Sequence, residues 1–78
     1  MKKNRFTRKL EEIGLLIQNY RHIRKYTLQM LSKLTGISGR YLHSVENGRA
    51  NVTVLVLYKI FQALEIPESE IGCVLASW

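Results

Sequence analysis

Apolar residues return every three or four positions along most of this chain, the spacing of one helix face. Leu10, Ile13, Leu16 (with Ile17) and Tyr20 predict a first helix, N-capped by Thr7 and running to about Arg24. Residues 1–6 precede the pattern and read as a loose basic arm. Thr27 opens a short second helix with Leu28, Leu31 and Leu34 on its apolar face. Gly36 stops it, because glycine tolerates the left-handed conformation of a tight turn. Ser38 caps a third helix with Leu42 and Val45 inward, and Asn47-Gly48 ends it. Thr53 caps a fourth, in which Val54, Leu57, Tyr58, Phe61 and Leu64 share a face. Pro67 breaks the chain after Ile66. The acids of Glu68-Ser69-Glu70 suit the first turn of a fifth helix, where the dipole favours them. Its apolar residues are Ile71, Val74 and Leu75, ahead of Trp78.

One stretch conflicts with this reading. Val52 to Leu57 is β-branched and apolar, and by propensity alone it is a strand. Helical spacing continues through Tyr58, Phe61 and Leu64, and a lone strand would have no partner, so helix is predicted. Leu55, Val56, Ile60 and Ala63 make that helix apolar on nearly every side. Such a helix must be covered all round. It is either a subunit interface or a central helix covered by the first and fifth.

Composition narrows the classes. The chain has 78 residues, 46% of them hydrophobic, enough for one domain with a core (residues 7–78) behind the arm. One cysteine, Cys73, excludes an internal disulfide and a zinc finger of the Cys-x-x-Cys type. His22, His43 and Cys73 show no spacing for a metal site or a catalytic triad, so neither an enzyme nor a cofactor is expected. The longest apolar stretch falls far short of the roughly 20 residues of a membrane span. No apolar run follows the basic start, so a secretory signal is not read, and the cytoplasm is the expected location.

Charge divides the chain. Residues 1–49 hold 11 basic and three acidic groups, a balance of +8; residues 50–78 hold one basic and three acidic, −2. The basic part should face a polyanion, either nucleic acid or an acidic membrane surface. Arg8 and Lys9 oppose the dipole at the start of the first helix, so they either meet a phosphate or are simply solvated.

The middle of the chain has the spacing of a helix-turn-helix. Ser32 is small enough for two helices to approach, Gly36 makes the turn, and Ile37, Leu42 and Val45 are buried to fix the crossing. An ordinary αα-hairpin has the same outline. The run from Thr27 to Gly48, ending Val45-Glu46-Asn47-Gly48, with a Thr53-capped helix after it, resembles the phage repressor and Cro type of helix-turn-helix, the XRE family. The resemblance covers about residues 13–66. Around the fourth helix it is nearest to HipB-type antitoxins, and Tyr41 and the general layout are similar to restriction–modification controller proteins.

The resemblance implies an all-α, five-helix lambda-repressor-like domain, usually dimeric, that places its third helix on operator DNA. It implies base reading by Gly39, Arg40, His43 and Ser44. The Arg40 fork matches guanine O6 and N7, with a phosphate contact as the alternative. Gly39 lets the helix N-terminus approach the backbone of the DNA. Phosphate contacts map to Thr27, Gln29, Ser38, Tyr41, Asn47, Arg49 and Asn51. The family's glutamine at the start of the second helix is Leu28 here, so that clamp is lost or shifted to Gln29. Arg21 and Glu46 match a pair that forms a structural salt bridge in the family.

The leading functional expectation is a homodimeric regulator, a repressor, on an inverted-repeat operator of double-stranded DNA. Lys2, Lys3 and Arg5 of the arm would add phosphate or minor-groove contacts. Ile71, Val74, Leu75 and Trp78 would make the dimer or pack the fifth helix on the core. The alternative is an antitoxin that binds a toxin protein and regulates its own operon.

Overall fold

A computed structural model of the chain describes residues 5–76, with side chains from Thr7 to Val74. Its helices are α1 (Arg5–Ile23), α2 (Leu28–Thr35), α3 (Gly39–Glu46), α4 (Val54–Leu64) and α5 (Glu68–Ala76). No strand occurs among the described residues.

Side-chain caps set three of these starts. The Thr27 hydroxyl accepts the Met30 N–H at 3.1 Å, Ser38 that of Tyr41 at 3.1 Å, and Thr53 that of Val56 at 3.2 Å. Each bond satisfies an N–H that the first helical turn leaves without a partner. At Thr53 the cap helps turn the β-branched stretch into helix from Val54 onward. The first helix differs from its prediction. It begins at Arg5, so Thr7 lies inside the first turn and is not the cap, and Arg5 belongs to the helix rather than the arm. No Gly or Pro separates Arg5 from Thr7 to stop the helix there. Lys2 and Lys3 lie outside the described residues.

The core joins Ile13 and Ile17 of α1, Leu31 of α2, Leu42 and Val45 of α3, and Leu57, Ile60, Phe61 and Leu64 of α4, with Ile66 behind them. α3 packs on α1 and α2, and α4 packs on the same two helices from another side. The buried face of α4 is rotated from the predicted one. Ile60 is fully covered, whereas Val54 is 83% and Tyr58 57% exposed. Where every side is apolar, packing rather than periodicity selects the face. The C-terminal half of α4 is thus a core helix, and its N-terminal half is left open. Leu34 is likewise exposed, because Leu31 already fills the inward position of α2. Ile71 and Val74 are half-buried against the core. The Leu75 side chain and Trp78 lie outside the described residues.

Four ties between distant segments help hold this bundle, and the helical pattern signals none of them. Gly14 of α1 lies against the end of α3, where an added Cβ would come within 2.6 Å of the Val45 carbonyl oxygen and would also overlap that of Glu46. Lys9 is buried. Its ammonium donates to Glu12 Oε2 at 2.8 Å and to the Val74 carbonyl at 3.1 Å, near the end of α5. Lys9 therefore anchors α5 instead of facing solvent or a phosphate, while Arg8 is exposed. Arg24 donates from Nε to the Leu64 carbonyl at 2.8 Å and from Nη2 to the Glu65 carbonyl at 3.1 Å, a cation at the C-terminus of α4. The Tyr20 hydroxyl, linking α1 to Glu70 of α5, is raised above its usual pKa, first by desolvation and then by its bond to that carboxylate.

Glu65 closes α4 in the left-handed conformation, φ 54°. A side chain there is strained. Glu65→Gly is expected to raise stability by about 0.5–1 kcal/mol, read as a higher melting temperature. A lower one would mean that the carboxylate makes a contact worth more than the strain.

Candidate nucleic-acid interface

The turn between α2 and α3 is built from short bonds between neighbours. Gly36, at φ 74°, donates its N–H to the Ser32 carbonyl at 2.8 Å. The Thr35 hydroxyl donates to the Leu31 carbonyl at 2.8 Å and accepts the Ile37 N–H at 3.2 Å. Ile37 is half-buried against the core, and Ser38 starts α3 immediately after it. Two short helices are thereby fixed with Leu31, Leu42 and Val45 in one apolar contact. The two helices and their tight turn have the layout of a helix-turn-helix.

α3 has two unlike faces. Leu42, Val45 and Glu46 are buried, while Arg40 and His43 are exposed. Asn47, the C-cap residue, is exposed one turn after His43. The Asn47 amide nitrogen lies 3.3 Å from Nε2 of His43, so the two outward side chains touch. Gly39 and Ser44 are half-buried at the edges of this face. The four residues expected to read bases all lie on α3, and of these Arg40 and His43 are the exposed ones.

The residues expected at phosphates lie at the starts of α2 and α3, within α3 and in the loop after it. Thr27 and Gln29 are exposed at the start of α2, Ser38 at the start of α3, and Asn47, Arg49 and Asn51 along the loop after it. The Arg49 N–H donates to the Ser44 carbonyl at 2.9 Å, which holds the loop against the helix. Tyr41 has other partners. Its ring is packed against the core and its hydroxyl donates to the Asn51 carbonyl at 3.4 Å, so it braces the loop to α3. At the start of α2, Leu28 is half-buried and Gln29 is the exposed amide.

Behind the face, Arg21 holds Glu46 with two parallel bonds, Nε to Oε2 at 2.7 Å and Nη2 to Oε1 at 3.0 Å. Its Nη1 donates to the Tyr26 carbonyl at 3.0 Å. The one acid of α3 is buried and neutralised from α1, so it adds no repulsion toward an anion on the outer face. Sequence reasoning found this pair only through the resemblance. It missed Gly14, whose contact partner is 31 positions away.

No helix among the described residues is long and apolar enough to cross a membrane. No group of three His, Cys, Asp or Glu among them is placed to hold a metal ion.

Comparison with known proteins agrees with this geometry. The helix-turn-helix family HTH_3 matches residues 17–71. The chain is 36% identical over 59 residues to an uncharacterized HTH-type transcriptional regulator, y4dJ, of Sinorhizobium fredii (strain NBRC 101917 / NGR234), covering 76% of this chain and 77% of that protein. Its fold is similar to that of the restriction-modification controller protein C.AhdI from Aeromonas hydrophila, with a TM-score of 0.73 and 27% identity over 80% of this chain and 94% of that one.

Proposed function

Because the chain belongs to the XRE-type helix-turn-helix family of DNA-binding transcriptional regulators, we propose that it is a repressor that binds an inverted-repeat operator as a homodimer. The observation that carries this reading is the outer face of α3. Arg40 and His43 stand exposed there, outside the core contacts of Leu42 and Val45 and outside the Arg21–Glu46 pair. A single α3 is 8 residues long and spans only a few base pairs. Two copies set roughly 34 Å apart on successive major grooves would supply the affinity and length that one lacks. Arg40 reads a guanine, and Thr27, Gln29, Ser38, Arg49 and Asn51 fix the register on phosphates. Arg5, at the start of α1, and Lys2 and Lys3 ahead of it add charge near the same duplex.

Selection of bound sequences from a random duplex library tests this. The expected product is an inverted repeat whose half-sites are one helical turn apart. Arg49→Ala is then expected to weaken binding to every selected sequence alike and to lower the slope of log affinity against log salt by about 1. Equal affinity for all sequences would overturn the regulator reading. Enrichment of single, unrepeated half-sites would overturn the dimer.

A further inference from the structure

The Asn47 amide nitrogen lies 3.4 Å from Nδ1 and 3.3 Å from Nε2 of His43. An atom in the plane of an imidazole, at those distances from both nitrogens, would overlap the ring's own carbons. The amide therefore lies over the face of the ring. The ring edges, where the nitrogens bond in plane, are left open on an exposed side chain. The amide is itself held in place. The Asn47 N–H donates to the His43 carbonyl at 3.1 Å, which closes α3, and the Gly48 N–H donates to that of Val45 at 3.1 Å. Gly48, at φ 71°, presses against Glu11 of α1. The backbone under Asn47 is thus fixed to the scaffold, and none of these bonds uses the Asn47 side chain.

We propose that Asn47 is a positioning residue for base reading. Its amide holds the His43 imidazole edge-on to the DNA before binding, and the phosphates are left to its neighbours. The proposal rests on the reading of α3 as the DNA-contacting helix and moves Asn47 from the phosphate set to His43. Arg40 and His43 differ in what they need. Arg40 carries five donors on a long stem, so its fork can meet a base from several directions. His43 has two ring nitrogens on a short stem, and a base bond forms only when the edge is aimed. A side chain ordered in advance, and not on binding, gains about two- to tenfold in affinity. That gain applies only where the His43 edge meets its base. It therefore shows as preference at one base pair and not as general affinity. His43 lies three residues after Arg40 on the same face, so that pair neighbours the one that Arg40 reads.

Selection of bound duplexes with the full chain, repeated with Asn47→Ala, His43→Ala and the double variant, tests this, with affinities measured on single base-pair changes. Alanine tolerates φ −90°, ψ 3°, and the backbone bond that closes α3 is kept, so Asn47→Ala folds. His43→Ala is expected to lose the preference at one base pair. Asn47→Ala is expected to lower the preference at that same pair about two- to tenfold. Its melting temperature, its preference at the Arg40 pair and its salt slope are unchanged, since no charge is removed. Added to His43→Ala, it changes the preference no further. Three-bond couplings of His43 in the DNA-free protein report one χ1 rotamer in the wild type and an average over several in Asn47→Ala. Uniform weakening across all sequences makes Asn47 a phosphate ligand and overturns the proposal while the regulator stands. Every base preference surviving His43→Ala, or additive effects of the two substitutions, overturns it equally. A wild type with no sequence preference overturns the regulator reading itself.

Discussion

Glu46→Ala is expected to melt roughly 12–24 °C below the wild type, whereas Arg40→Ala melts with it. The difference follows from what each charge touches. Glu46 is buried and takes two bonds from Arg21, which is itself largely covered. Removing the carboxylate leaves a guanidinium with the Tyr26 carbonyl as its remaining described partner. Breaking such a pair costs about 3–5 kcal/mol. In a domain of this size each kcal/mol moves the melting temperature by about 4–8 °C, so the quoted range takes the lower bound. Arg40 is exposed on the outer face of α3, and its removal changes little in the fold. A double substitution, Arg21→Met with Glu46→Leu, is expected to recover most of the loss, because it removes both charges instead of stranding one. Thermal melts of the four proteins check this. Equal melting temperatures for Glu46→Ala and Arg40→Ala would remove the pair from any structural role.

The second large effect is at Gly14. Alanine usually stabilises a helix interior by about 1 kcal/mol relative to glycine. Gly72, in α5, has open space around it, and Gly72→Ala should show that gain. At Gly14 the sign reverses. The added methyl meets the backbone carbonyls of Val45 and Glu46, and a backbone cannot swing aside as a flexible side chain does. α1 and α3 must separate, which costs about 1–3 kcal/mol or more and outweighs the propensity gain. Gly14→Ala is therefore expected to lower the melting temperature and, by shifting α3, to weaken DNA binding as well. A melting temperature at or above that of the wild type would show that the two helices separate at no cost.

These two substitutions mark where the sequence is informative and where it is not. Cap and turn chemistry is local. Thr27, Gly36, Ser38 and Thr53 act within three or four residues of themselves, and each was readable from the chain. Gly14, Lys9 and Arg24 act on segments 31 to 65 positions away, so nothing beside them in the sequence announces their partners. α4 shows a different limit. Its apolar residues surround the axis, and a periodicity that points in every direction cannot say that Ile60 is inside and Tyr58 outside. The outer face of α3 was readable because Leu42 and Val45 fix its phase and the family resemblance assigns the opposite side. The two-bonded ion pair of Arg21 and Glu46 came by the same route, since a single acid on a basic segment has no spacing signal of its own.

The separation of duties within α3 bears on how such a chain acquires new targets. Its inward residues, Leu42, Val45 and Glu46, carry the packing and the ion pair, and Gly14 presses on its backbone from behind. Its exposed residues, Arg40 and His43, and the half-buried Ser44 carry neither the packing nor the ion pair. The outward set can therefore be exchanged for that of a relative, as a cassette of three side chains, without renegotiating the scaffold. Under the proposed function, a change of DNA preference would then leave the packing of the fold unchanged.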